Sequence, residues 1–242
     1  MGSGSPNPDG IPGLVLWTDS DNGIVSSGSP AAVDSWADKS GLAHDLAMTG
    51  GNRPILVASD AGVGGLPSLN CSTAVGPFAH KGMKATALTW GAFTKFFVVT
   101  GHVTGAGYFD FHYTDANSGD YTYSSTNGLY CARGGTKSER NPGTDWGAYG
   151  ATTFKTMRVQ FDGTNVSHTL ALNGVSQSLT AGSFSGDPGS GTILPDWYMG
   201  VDSSIGTSTG SKWAAILIYS RALSPAECTI VENYLRTKYQ HY

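Results

Sequence analysis

Trp213-Ala214-Ala215-Ile216-Leu217-Ile218-Tyr219, then Ser220-Arg221-Ala222-Leu223, then Ser224-Pro225-Ala226-Glu227 decides how this chain folds. The first run is short and almost wholly apolar, the pattern of a strand covered on both faces. Arg221-Ala222-Leu223 turns the chain. Ser224 to Glu227 has the form of a capping box, with the serine accepting from the third helical amide, Pro225 placed where a missing N–H costs nothing, and Glu227 reaching back. Behind it Ala226, Ile230, Val231, Tyr234 and Leu235 recur at helical spacing, so the predicted helix has one stripe to bury. Glu227 and Glu232 come early and Arg236 and Lys238 late, in the order that the helix dipole favours.

Working outward, Ile11-Pro12-Gly13-Leu14-Val15-Leu16-Trp17 reads as a buried first strand after a Pro-Gly turn, and Thr94-Lys95-Phe96-Phe97-Val98-Val99-Thr100 as a core strand. Met157-Arg158-Val159-Gln160-Phe161 alternates cleanly before an Asp162-Gly163 turn, and Val166 to Leu172 runs into Asn173-Gly174, a hairpin signal. Trp197-Tyr198-Met199-Gly200 is one more short strand. Strands, turns and a single helix imply an all-β sandwich.

Taken together, Ala214 to Glu227 followed by Val231-Glu232-Asn233-Tyr234-Leu235 and Lys238-Tyr239 resembles the closing segment of concanavalin A-like, laminin G-like jelly-roll domains. Such domains occur in bacterial exoproteins and in phage tail or virion proteins. Ser35-Trp36-Ala37-Asp38-Lys39-Ser40-Gly41 is similar to the Trp-x-Asp-x-Ser-Gly element of that family. Further resemblance lies in Asn52-Arg53-Pro54, in Gly65 to Cys71, and in Phe161-Asp162-Gly163-Thr164 with Leu170 to Val175. Where the family carries an aromatic before an Asp-Gly turn, this chain has Cys71-Ser72. The resemblance implies a two-sheet antiparallel jelly roll with the first strand beside the closing strand, and with Asp38 and Ser40 tying a tight turn. It also implies an extracellular or virion-surface setting, and it is silent on ligand.

A chain of 242 residues, 39% hydrophobic, is long enough for a substantial core. Residues 13–242 read as one domain and residues 1–12, rich in Gly, Ser, Pro and Asn, as a flexible linker without the features of a signal peptide. The 34 glycines and the 13% charged content suit a turn-rich β protein. A net charge of −4 without a basic patch argues against nucleic acid as a partner. No apolar run reaches the roughly eighteen residues of a membrane helix. The three cysteines leave two readings: reduced buried thiols, or a Cys71–Cys131 bridge.

Catalytic signals are sparse. Glycosidases on sandwich folds work with paired carboxylates, but the chain has three glutamates. Two belong to the terminal helix, and Glu139 stands alone in what reads as a polar loop. Gly206-Thr207-Ser208-Thr209-Gly210 matches a nucleophile elbow in letters only, since a strand follows where that motif needs a helix. Asp19-Ser20-Asp21-Asn22-Gly23 looks superficially like a calcium loop, so Asp19 and Asp21 are the only calcium candidates. The loop lacks the distal glutamate, and a structural turn is the expected reading. No other cofactor is implied.

What remains is binding. Tyr108 to Tyr149 concentrates aromatic, amide and charged residues just where the family resemblance fades. Sugar rings stack on exposed aromatics while carboxylates and arginines fix hydroxyls. The expected ligand residues are Trp146 and Tyr149 as platforms, Arg133 and Asp145 as polar partners, and Tyr121 and Tyr123 beside them. Phe109-Asp110-Phe111 and Tyr121-Thr122-Tyr123 have period two, which sends some of these rings into the core. Three functions are open: a lectin-like module for cell-surface or extracellular polysaccharide, a structural virion or adhesin module packing against neighbouring chains, or a hydrolase or lyase with an unfamiliar site. The expectation is a non-catalytic binder.

Overall fold

The computed structural model describes residues 7–48, 50–71, 81–88, 91–101, 106–114, 119–125, 128–133, 137–141, 153–163, 168–181, 193–200 and 210–242. Its organising strand is Lys212–Tyr219. On one side it pairs antiparallel with Leu14–Asp19 and on the other with Phe93–Thr100. The sheet continues through Phe154–Phe161, His168–Leu172 and Val175–Gln177. These six strands form the back sheet, and Trp17 facing Leu217 in the register sets the chain's two ends side by side.

A front sheet runs from Ile24–Ser27 through Ala32–Trp36, Leu46–Ala47, Met83–Ala85, Ile193–Met199, Ala106–Thr114, Gly119–Ser125 and Gly128–Arg133 to Lys137–Asn141 and Thr180–Ala181. Every pairing in it is antiparallel. Ile55–Val57 and Ser68–Asn70 join the two layers, since the former pairs with Ala32 and the latter with the closing strand. The molecule is an all-β antiparallel sandwich with one terminal helix. Glu139, expected in a loop, lies in a strand opposite Cys131 and Ala181.

The period-two rule explains where the apolar residues go. In Phe93–Thr100 the side chains of Phe93, Phe97 and Val99 enter the core between the sheets, where they meet Trp36, Met83, Phe109, Trp197 and Met199 of the front layer. Phe96 and Val98 point the other way. The closing strand does the same: Ile216 and Ile218 face inward, while Leu217 and Tyr219 face outward. An outward apolar face on the back sheet must itself be covered, and the helix Pro225–Tyr239 covers it.

Local chemistry starts that helix as its sequence implies. Ser224 accepts from the Glu227 amide while the Glu227 side chain accepts from the Ser224 amide, and Pro225 opens the first turn. Arg221 grips Glu227 from the preceding turn at 2.5 Å; that bond first, with the Ser224 hydrogen bonds, holds the Glu227 carboxyl down at about 2. The buried stripe is Cys228, Val231, Leu235 and Tyr239, with Ile230 and Tyr234 at its margin. Ala226, expected in the stripe, is exposed. Val231 and Leu235 lie in the stripe as expected, but its centre is displaced by about a quarter of a turn, toward Cys228 and Tyr239 and away from Ala226.

One further expectation changes, and one open reading is decided for Cys71. Residues 7–12 are not linker: Pro8–Gly10 forms a 3₁₀ turn, Pro8 and Ile11 are buried, and the Tyr219 hydroxyl donates to the Pro8 carbonyl. The docking follows from that outward Tyr219, whose hydroxyl needs an acceptor once buried. Cys71 is a buried free thiol, its pKa driven far up by burial, so it forms no bridge to Cys131.

Removing the cap with Ser224→Ala should lower stability by about 1 kcal/mol. Leu235→Ala, which opens a cavity under the helix, should cost about 2–5 kcal/mol, and Arg236→Ala on the exposed face less than about 0.5 kcal/mol. Urea unfolding of the three variants checks the order; a larger loss at Arg236 than at Leu235 would reverse the assignment of the buried face.

Candidate functional site

The two calcium candidates lead to an ion-pair node. Asp19 ends the first strand, and its side chain is fully buried. Its carboxylate receives Lys39 at 2.5 Å and Lys238 at 3.0 Å, and Lys238 also reaches Asp21 at 2.9 Å. The Tyr234 hydroxyl donates to Oδ2, and the Tyr239 hydroxyl lies 3.0 Å from Oδ1. The main chain between them closes a turn through Gly23, at φ +70°, where an added Cβ would stand 2.5 Å from that of Ala37. Two ammonium groups fill the positions a metal ion would need, so these residues do not fit calcium. Among the described residues no group of three or more His, Cys, Asp or Glu side chains is placed to hold a metal. The node instead ties the first strand, the Trp36–Ser40 turn and the terminal helix together.

Asp38 secures the neighbouring turn as the family resemblance implies. Its oxygens accept from the amides of Trp17, Ser40 and His44 and from the Ser40 hydroxyl. Trp36 is fully buried, and its Nε1 donates to the Asp19 carbonyl. Beside this node lies a cavity of about 690 Å³ with Trp17, Tyr234, Lys39, Lys238, Asn7 and Asn233 in its walls. The Lys39 ammonium sits 4.2 Å over the Trp17 ring, so the aromatic face that a ligand would stack on is already taken.

The front sheet presents a different surface. Its inward face is unexpectedly polar. Lys95 projects from the back sheet into the core, fully buried, and its ammonium lies 2.6 Å from Asp110 and 3.0 Å from Asp120. Trp197 Nε1 donates to the same Asp110 oxygen at 3.1 Å. Asp110, His112, Asp120 and Thr122 are all buried. Burial drives the Asp110 carboxyl up, against the pull of Lys95 and with the charge of Asp120 adding to the rise.

Because Asp120 and Thr122 point in, Tyr121 between them points out. Tyr121 is half-buried where Asp120 and Thr122 on either side are buried, and Tyr198 is half-buried between the buried Trp197 and Met199. Tyr198 pairs with Phe111, Phe111 with Tyr121, and Lys84 with Tyr198. One cross-strand row therefore carries Lys84, Tyr198, Phe111 and Tyr121 at successive register positions. Lys84 bonds Asp196 at 3.1 Å, both about one-third exposed, with the ammonium 6.0 Å from the Tyr198 ring centroid. Burial first, then the charge of Asp196, raises the Tyr198 phenol.

Of the expected ligand residues, Tyr121 lies in this row. Tyr123 follows two positions along the same strand, opposite Tyr130 and Tyr108. Arg133 stands in the adjacent strand opposite Lys137, one register position from the partner of Tyr121. Asp145, Trp146 and Tyr149 fall outside the described residues. Sequence reasoning missed Tyr198, Lys84 and Asp196. The Trp197-Tyr198 strand was visible, but nothing local says that it pairs with Tyr121's neighbour.

The architecture defines the class: a two-sheet antiparallel sandwich, with the half-buried Tyr121 and Tyr198 on the outward face of its front sheet. No family model matches the chain, and no curated protein sequence matches it. Among solved structures it is similar to a Trypanosoma rangeli sialidase in complex with sialic acid, at 14% identity and a TM-score of 0.60, over 98% of this chain and 34% of that one. It is also similar to the botulinum neurotoxin serotype D binding domain, at 11% identity and a TM-score of 0.59, over 94% of this chain and 51% of that one. A botulinum neurotoxin type C structure, whose cell entry depends on two ganglioside molecules, matches at 11% identity and a TM-score of 0.54. The chain thus spans about a third of the sialidase and about half of the toxin domain. At these identities the likeness is one of fold.

The Asp19 node has a pH signature. Burial alone would raise its pKa, but the hydrogen bond from Lys39 and the charges of Lys238 and Lys39 bring it below the ordinary 3.8. A folded-state value below the unfolded one stabilises at higher pH and is lost as pH falls through the folded value. Stability should therefore decline as pH falls below about 4, and Asp19→Asn should flatten that part of the curve while lowering the plateau above it. Denaturant unfolding across that range tests this; an unchanged acid limb in the variant would remove Asp19 from the account.

Proposed function

We propose that the chain is a non-catalytic carbohydrate-binding module of concanavalin A-like, jelly-roll type, which uses the outward face of its front sheet. The observation that carries this reading is the row Lys84, Tyr198, Phe111, Tyr121, in which half-buried tyrosines alternate with an inward polar layer. A half-buried tyrosine is held rigid by its sheet yet shows ring area, which suits stacking against the C–H face of a sugar. The Lys84–Asp196 pair beside it supplies both a donor and an acceptor for hydroxyl or carboxylate groups. Support of a general kind comes from the similar folds, of which one was solved with sialic acid and another with N-acetylneuraminic acid. Sialylated oligosaccharides are accordingly the first ligands to try. The setting on a phage virion or a bacterial exoprotein, with cell-surface polysaccharide as partner, belongs to the same proposal and rests on the family resemblance of the closing segment.

A glycan array on the purified chain, including sialylated and neutral oligosaccharides, with and without calcium, tests the reading. Truncating a central aromatic platform removes about 2 kcal/mol, roughly thirtyfold in affinity. Tyr121→Ala and Tyr198→Ala should each show such a loss, with melting temperatures close to that of the parent and no calcium dependence. Binding unchanged in both variants would move the site elsewhere. Retention of no glycan at all, with dissociation of an oligomer in the same variants, would favour the structural virion or adhesin reading. The chain should release no sugar from a sialoside or polysaccharide, and Glu139→Gln should alter nothing; turnover abolished by that change would restore an enzymatic reading.

A further inference from the structure

The buried cluster in the core is built differently from an ordinary ion pair. One amine meets two carboxyl groups, all three fully or almost fully removed from solvent. Lys95 Nζ lies 4.4 Å from the centroid of the Phe93 ring, and Trp197 donates to the very oxygen of Asp110 that the amine touches. The amine comes from the back sheet and both acids from the front sheet. Ionising all three would set two carboxylates against one ammonium in a dry core, an excess of charge that burial penalises heavily. One protonated acid beside an ammonium and a single carboxylate removes that excess.

We propose that Lys95 and Asp110 condense into an intramolecular amide that covalently joins the two sheets, with Asp120 moving the protons. Asp120 accepts a proton from the Lys95 ammonium, 3.0 Å away, and so frees the nitrogen lone pair. The amine attacks Cγ of the protonated Asp110 carboxyl. An oxygen of that group at 2.6 Å puts its carbon within the roughly 3–3.5 Å of a near-attack geometry. Trp197 Nε1–H is placed to stabilise the oxygen of the tetrahedral intermediate, as a preorganised donor in a site without water. Asp120 then returns its proton to the departing hydroxyl and takes up the second proton that the nitrogen gives up. One C–N bond forms and one C–O bond breaks; the ammonium, the protonated Asp110 and the Asp120 carboxylate become a neutral amide, one molecule of water and a protonated Asp120, and no oxidant or external reactant is needed. The raised Asp110 pKa, caused first by burial, favours the protonated acid that the attack requires. Burial of both termini shields the product from hydrolysis.

Intact mass spectrometry of the full chain under denaturing conditions decides this without any variant. The expected mass is short of the sequence mass by one water, and a protease digest should yield a branched peptide in which Lys95 is joined to Asp110. Lys95→Arg and Asp110→Ala should both restore the full sequence mass, and Asp120→Ala should abolish or greatly slow the loss of water. A folded parent chain that shows the full sequence mass and releases the two peptides separately overturns the proposal. So does a branched peptide that joins Lys95 to Asp120 instead, because it reverses the roles of the two acids.

Discussion

The strand Lys212–Tyr219 is apolar on both faces, and most of the architecture answers that fact. Its inward residues Ile216 and Ile218 need a second sheet across from them, and its outward residues Leu217 and Tyr219 need a cover on the other side. A sandwich alone would leave the second face in water. The helix that follows within a few residues supplies the cover, and its tight capping by Ser224 and Glu227 directs it back over the strand it has just left. Asp19 then locks the arrangement: lysines from an early turn and from the last turn of the helix converge on one buried carboxylate.

The front sheet obeys a different constraint. Lys95 is an inward position on a central strand, so its ammonium enters the core whatever else is there. Two aspartates on facing strands compensate it, and the inward orientation of Asp120 leaves Tyr121 to face outward. Tyr121 reaches the surface for this reason, not because the chain there is irregular. The register shift between Thr122 and Tyr123 lets Phe109 enter the core beside Asp110, breaking the simple alternation that Phe109-Asp110-Phe111 suggests. One buried amine thus shapes both the interior chemistry and the outward face at Tyr121.

The two sides of that sheet would serve a single mechanical purpose. If the outward face holds polysaccharide as proposed, load on it would pass into a layer that mainly side-chain packing joins to the back sheet. A covalent tie between Lys95 and Asp110 would join the two sheets at the point where the inward charges meet.

Determinants that are local in sequence were legible from the sequence. The closing strand, the capping box, the Asp38–Ser40 turn and the pairing of the first strand with the last each rest on a few adjacent residues or on a family resemblance carried by them, and the sandwich class followed. The helix stripe was misplaced because period alone does not say which side of a helix meets the sheet. Asp19 and Asp21 were expected in a structural turn, with calcium only a weak candidate, and the lysines that give the turn its role stand far off at positions 39 and 238; residues 7–12 looked like linker because their acceptor role serves Tyr219. The row of Lys84, Tyr198, Phe111 and Tyr121 was illegible for the same reason, since four separate strands contribute one residue each. Period-two patterning states that alternate residues share a face. Only tertiary pairing decides which face is the outside.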